Sequence, residues 1–179
     1  MMRAIDVRDL VDRPGSAKRV HLDERVPGLH TELADVGADD PIEADLTLES
    51  VIDGIFVRGN VGGRMVLRCA RCLKEFEREF DVAMHELYAR RPGPEDDYAL
   101  AEDLTLDPEP MVRDAVVLEM PFSPLCRPDC RGLCPRCGGD RNLGECTCVE
   151  AVDPRWAALD AFRELEAFRS ELETLDEQD

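Results

Sequence analysis

Eight cysteines in two clusters constrain this chain more than any other feature. The first cluster is Cys69-Ala70-Arg71-Cys72. The second contains Cys126, Cys130, Cys134, Cys137, Cys146 and Cys148. Four thiolates complete one tetrahedral zinc site, so eight are enough for two. Cys134-Pro135-Arg136-Cys137-Gly138 has the form of a zinc knuckle. Its two-residue gap lets both sulfurs turn toward one metal, and Gly138 frees the backbone so that amides can point at the sulfurs. The expectation is two structural Zn2+ ions held by all eight cysteines.

Two groupings of the sulfurs are open. In one, Cys134, Cys137, Cys146 and Cys148 share a metal, and Cys69, Cys72, Cys126 and Cys130 share the other. In the alternative, Cys126, Cys130, Cys134 and Cys137 act together, and Cys146 and Cys148 join Cys69 and Cys72. The first grouping is favoured because its local site closes only a short loop, and closure entropy grows with loop length. Disulfides are the competing use of eight cysteines. They are disfavoured because no apolar run marks a secretory signal near the start, which places the chain in the reducing cytoplasm.

The chain has 179 residues, with 22 basic and 40 acidic side chains and a formal charge of −18. That balance argues against wrapping naked nucleic acid, which needs an excess of Lys and Arg. A basic protein partner fits it, and so does simple solubility. The cysteine regions depart from the average. Arg68, Arg71 and Lys74 flank the first pair, and Arg127, Arg131, Arg136 and Arg141 punctuate the second cluster. They read either as an RNA- or partner-facing patch or as charge compensation for thiolates. Aromatic residues are missing between them, which weakens a base-stacking role. No stretch approaches the roughly 20 apolar residues of a membrane helix.

The hydrophobic pattern predicts an α+β fold. Ile42, Ala44, Leu46 and Leu48 alternate with Glu43, Asp45, Thr47 and Glu49, the period of a half-buried strand. Arg19 to Leu22 predicts a strand, Pro27-Gly28 a turn and Asp53-Gly54 a hairpin turn. Ile55-Phe56-Val57 predicts a short strand. Gly59, Gly62 and Gly63 predict a flexible connection before Arg64–Arg68. Phe76, Phe80, Val82 and Met84 line one face of a strand reaching Tyr88, so the first cysteine pair sits in the turn between two strands. Residues 92–110 read as an acidic loop. A helix follows, with Met111, Val112, Ala115, Val116, Leu118 and Met120 on its apolar positions and Pro121 as its stop. From Asp153 a second amphipathic helix is expected, with Trp156, Leu159, Phe162, Leu165, Phe168 and Leu172 on one face, docked on its own domain or on a partner. The divisions are residues 1–125, an antiparallel sheet plus central helix; 126–150, a Cys-rich zinc knuckle; and 151–179, a C-terminal amphipathic helix and acidic tail.

Catalysis has little support. A catalytic zinc keeps an open position, and these cysteines saturate two four-coordinate sites. His21, His30 and His85 are scattered. Cys69 to Cys72 does not open a helix after a strand, the setting that activates a redox dithiol. No small-molecule substrate is expected, and no catalytic residue is assigned.

Three motifs carry a family resemblance: Leu67-Arg68-Cys69-Ala70-Arg71-Cys72-Leu73; Pro121-Phe122-Ser123-Pro124-Leu125-Cys126; and Cys130-Arg131-Gly132-Leu133-Cys134-Pro135-Arg136-Cys137-Gly138, continued by Asn142-Leu143 and the Cys146–Cys148 end. In order and spacing the chain resembles the YceD family of bacterial proteins. The resemblance implies a cytoplasmic, non-enzymatic ribosome-biogenesis factor that supports 23S rRNA accumulation or large-subunit assembly. A large-subunit ribosomal protein or a pre-rRNA complex is its implied partner. The alternatives are a thiol- or zinc-based redox regulator and a zinc-ribbon protein-interaction adaptor.

Overall fold

Alternation starting at Ile42 produces the strand on which the sheet is built. In the computed structural model, which describes residues 2–144, 146–148 and 155, the elements are β1 (Ile5–Asp6), β2 (Ala17–Glu24), β3 (Ala34–Asp35), β4 (Ile42–Ser50), β5 (Gly54–Arg68), β6 (Glu75–Ala89), β7 (Thr105–Leu106) and α1 (Glu109–Glu119). Ile42, Ala44, Leu46 and Leu48 of β4 are buried while Glu43 and Asp45 face solvent, as period two requires.

Every pairing in the main sheet is antiparallel, in the order β2–β4–β5–β6. β6 runs along one side of β5 for its full length, from Gly54↔Ala89 to Arg68↔Glu75. The other side of β5 is shared. β4 pairs with Ile55 to Gly62, and β3 pairs further along at Val66 and Leu67. Among the described residues β6 is therefore an edge strand.

β5 corrects the expectation of a short strand followed by a flexible glycine connection. It runs unbroken through Gly59, Gly62 and Gly63. The glycines serve close approach. A Cβ at Gly59 would lie 2.0 Å from the Asp45 carbonyl oxygen on β4, so the two backbones pack where no side chain fits.

The inner face of the sheet is covered by α1 and by the N-terminal stretch. Met111, Val112 and Val116 of α1 join one core with Val57, Val61, Phe80 and Tyr88 of the sheet and with Val7, Leu10, Val26 and Leu29. The Asp107 carboxylate accepts the Glu109 amide at 3.0 Å, satisfying one of the donors a helix start leaves open. Arg113 pairs with Glu109 at 3.1 Å and donates to the Pro27 and Gly28 carbonyls, fixing the helix to the predicted turn. Leu118 departs from its expected place on the buried face. It lies two turns after Met111 but at the margin of the stripe formed by Val112 and Val116, and is 86% exposed while Met120 beyond it is buried.

The acidic stretch 92–110 is more than a solvated connector. Within it β7 pairs with β1, and Leu106 is fully buried. Tyr98 stacks on Tyr88 with ring centroids 5.4 Å apart, and its hydroxyl donates to Asp114 at 2.7 Å. Tyr88 is itself buried, and its hydroxyl donates to the Asp107 carbonyl at 2.7 Å. Burial raises the pKa of this phenol, so it remains a donor at neutral pH. Tyr88→Phe leaves that carbonyl without its donor, with an expected cost of about 1–2 kcal/mol, read as a lower urea midpoint at unchanged slope.

The chain forms two compact units, the first from Met1 to Leu133 and the second beginning at Cys134. The boundary falls after Leu133, not after residue 125, because Cys126 and Cys130 are drawn to the β5–β6 turn. The second amphipathic helix expected from Asp153 lies outside the described residues.

Candidate metal centres

In the first unit the β5–β6 turn presents one pair of sulfurs. The Cys69 amide donates to the Lys74 carbonyl and the Leu73 amide to the Cys69 carbonyl, both at 2.9 Å. These bonds fold residues 69–74 tightly enough for both thiols to point the same way. The segment after α1 brings the second pair. Ala70 donates its amide to the Pro124 carbonyl at 2.8 Å, and Leu133 donates to the Arg71 carbonyl at 3.0 Å. The Arg71 guanidinium donates to the Cys130 carbonyl at 2.8 Å. Gly132 has φ +70°, and a Cβ there would sit 2.7 Å from the Arg71 carbonyl, so this closure suits glycine on both counts.

The result is a four-sulfur group of Cys69, Cys72, Cys126 and Cys130, with all ligand atoms within 4.8 Å of one another. The Sγ–Sγ separations are 3.8 Å for Cys69–Cys130 and 3.7 Å for Cys72–Cys126. A disulfide needs about 2.05 Å. A tetrahedron with metal–sulfur bonds of about 2.3 Å has an edge of about 3.8 Å. The group therefore fits a metal ion such as zinc. Cys69, Cys72 and Cys130 are buried beside Phe76 and Leu125, whereas Cys126 is exposed.

The local field is already arranged for a thiolate. Burial pushes the Cys69 thiol up, but the amides of Cys126, Cys72 and Arg71 outweigh it and bring its pKa down to about 6. The Lys74 amide pulls Cys72 down, yet burial and the neighbouring sulfurs of Cys69 and Cys130 raise it overall. Cys126 is pushed up to about 12 by desolvation and by the sulfurs around it. Cys69 gives up its proton readily while Cys72 and Cys126 hold theirs, because negative charge accumulates. A dication at the centre would supply the missing compensation.

The second unit holds Cys134, Cys137, Cys146 and Cys148, again within 4.8 Å. The Gly138 amide donates to the Cys134 carbonyl at 2.8 Å, and Cys134 donates to the Gly139 carbonyl at 2.9 Å, closing the knuckle. The Asp140 carboxylate, buried in this unit, accepts the Asn142 amide at 2.8 Å and its side-chain NH2 at 2.7 Å, shaping the return loop. The Cys137 and Arg136 amides and the Cys146 thiol hold Cys134 down at about 6. Cys146 is raised, chiefly by Cys134, and Cys148 is pushed up to about 12, chiefly by Cys137. The sulfurs thus take the grouping with the short local loop.

The basic residues divide differently. Arg68 pairs with Glu75 at 3.1 Å, Arg127 with Asp129 at 3.5 Å, and Arg71 is bound to the Cys130 carbonyl. Arg68, Lys74, Arg127 and Arg131 are exposed in the first unit; Arg136 is exposed and Arg141 half-buried in the second. Arg71 emerges as a brace of the first group, a role its position in the sequence does not reveal. Gly132 and the Pro124 carbonyl are the other two braces. All three fall within the motifs that flank the cysteines, but their bracing contacts are not visible in sequence.

The family model described as large ribosomal RNA subunit accumulation protein YceD matches residues 57–163. An uncharacterized protein of Mycobacterium tuberculosis is 40% identical over 164 residues, covering 87% of this chain and 78% of its own length. The Bacillus subtilis protein YlbN is 31% identical over 105 residues, 56% of this chain and 61% of its own. A chloroplastic protein of Zea mays, named large ribosomal RNA subunit accumulation protein YCED homolog 1, is 39% identical over 59 residues, 30% of this chain and 20% of its own. No solved structure gives a significant match.

Proposed function

The chain belongs to the YceD family, and from that premise we propose that it is a non-enzymatic ribosome-biogenesis factor supporting accumulation of 23S rRNA and assembly of the large subunit. The observation that carries this reading is that the family match spans the β5–β6 turn and both four-sulfur groups. Each group offers four sulfur donors and so supports a structural zinc, which leaves no position for a substrate or attacking water. A bound zinc would act as a cross-link. In the first unit Cys69 and Cys72 hold it from the sheet, and Cys126 and Cys130 from the segment after α1.

Its partner is a large-subunit ribosomal protein or a pre-rRNA complex, met in the cytoplasm. The charge of −18 favours the protein component of such a complex. No helix among the described residues is long and apolar enough to cross a membrane. Exposure of Cys126, Cys137 and Cys148 favours a thiol-based redox regulator as second reading.

Depletion of the protein followed by sucrose-gradient profiles tests the assembly role. The expected outcome is a deficit of large subunits and of mature 23S rRNA relative to small-subunit rRNA. Normal levels of both would sink the proposal. A deficit appearing only after mild oxidation would move the assignment to the redox reading.

A further inference from the structure

Among the described residues, nothing pairs with a full row of backbone groups on β6. Its even-numbered residues hydrogen-bond toward β5, as the Arg90 amide to the Asp53 carbonyl and the Cys69 amide to the Lys74 carbonyl mark at either end. Residues Glu77, Glu79, Asp81, Ala83, His85 and Leu87 therefore turn their N–H and C=O groups outward, and no described residue bonds to them. Only at Ala89 is the edge met, by Tyr98 and Leu100. A row of this kind is a template for an added strand.

Beside this edge, between β6 and α1, lies a cleft of ≈ 780 Å³. Val82 and Met84 of β6 and Met111, Ala115, Val117 and Leu118 of α1 give it an apolar lining. Leu118 of α1, 86% exposed, opens onto it. Four carboxylates line it, Glu86, Asp97, Asp114 and Glu119, against Arg113 and His85, with Arg78 paired to Glu119 at 3.8 Å, so acidic groups predominate. On the solvent face of β6, Glu75 and Glu77 are paired with Arg68 and Arg64. Glu79, Glu86 and Asp97 make no ion pair among the described residues.

We propose that the free edge of β6 and the adjoining cleft form a docking site for a basic protein segment with alternating apolar residues, added to the sheet as a strand. Alternation follows from strand geometry. One set of side chains enters the cleft over Leu118 and Val117, and the other meets Glu79 and Asp81 on the solvent face. Charge selects the occupant. A second copy would bring Glu75, Glu77, Glu79, Asp81 and Glu86 against the same residues, and like charges directly opposite destabilise a pair. A lysine- or arginine-bearing strand reverses that sign. The docking site rests on the reading of a protein partner in ribosome assembly for its biological meaning. The binding measurement itself needs no ribosome, so either can fail alone.

The test uses the full chain, metal-loaded as purified, and a fluorescent peptide of about eight residues with alternating lysine and valine. The control has the same composition in two blocks, four lysines then four valines. The alternating peptide is expected to bind roughly tenfold or more tighter, and to slow hydrogen exchange at Asp81, Ala83 and His85. Ala83→Pro removes an outward N–H without touching the β5 ladder, a position where an edge strand accepts proline. Leu118→Glu alters an exposed side chain and serves if the proline variant folds poorly. Each should weaken binding roughly tenfold with an unchanged far-UV spectrum. Equal affinity for both peptides would overturn the proposal. So would outward β6 amides already protected without peptide, whether by a second copy in a sedimenting dimer or by another part of the chain.

Discussion

Cys69→Ser should reduce the metal content by one ion per chain and abolish cooperative unfolding of the β5–β6 turn with the segment after α1. Cys69 is fully buried, nearby backbone amides pull its thiol down to about 6, and its sulfur lies 3.8 Å from the Cys130 sulfur. A serine hydroxyl keeps its proton at neutral pH and is a poor ligand for the ion these sulfurs fit. The remaining thiolates would be left repelling one another in a buried space. Structural four-thiolate sites contribute on the order of 10 kcal/mol to folding, so losing one costs several kcal/mol even if partial coordination survives. Chelation of the wild-type chain should produce the same lowered midpoint. Cys137→Ser provides the internal comparison. Its partners are Cys134, Cys146 and Cys148, so it too should lose a single ion while the first unit keeps its own. Elemental analysis with a thiol titration checks both variants. A Cys69→Ser chain still carrying two ions, or a wild-type chain with eight reactive thiols and no metal, would refute the assignment.

That the grouping could be anticipated comes from a polymer argument. Both groupings have a short local loop for Cys134 and Cys137, and they differ in the long closure, which runs from Cys72 to Cys126 in the grouping taken and would have to run from Cys72 to Cys146 in the other. The rest of the first site was less legible. Nothing in the spacing of Cys69 and Cys126 says that their segments meet. They are brought together by the Ala70–Pro124, Leu133–Arg71 and Arg71–Cys130 hydrogen bonds, which join residues far apart in sequence. The same holds for the arginines. Their clustering around cysteines is visible in sequence, but which carbonyl or carboxylate each one meets depends on loops that no periodicity describes. The β6–α1 cleft is the extreme case. Leu118 reads as a core residue because helix period places it near Met111, and only the packing shows that it falls at the margin of the buried face.

Strand content was legible where one face is buried. β4 is a clean alternation because β2 and β5 flank it and the core lies on one side only. β7 was hidden because two residues inside an acidic stretch carry no period at all, and only pairing with β1 makes them a strand. β5 was misread at its glycines. Glycine signals both a loop and a close approach of backbones, and local sequence cannot separate the two, since the atom that forbids a side chain belongs to another strand.

Gly59→Ala is the sharpest test of that distinction. If residues 59–63 were a flexible connection, alanine would be neutral or slightly stabilising, because it narrows the unfolded ensemble. Within the paired strand the new Cβ would lie 2.0 Å from the Asp45 carbonyl oxygen and 3.0 Å from the Leu46 Cα. Neither atom can swing away as a side-chain end could. β4 and β5 must separate locally, straining the central ladder of the sheet. The expected loss is about 3 kcal/mol or more, seen as a large drop in urea midpoint. Gly62 is the matched control. It occupies the same strand, and its nearest contact would be the Phe80 carbonyl oxygen at 3.3 Å, a tight but adjustable approach. Gly62→Ala should stay within about 1 kcal/mol of wild type. Equal effects at the two positions would mean that β4 does not approach β5 most closely at Gly59. The register of the central pair, and with it the position of the cysteine turn at the end of β5, would then have to be redrawn.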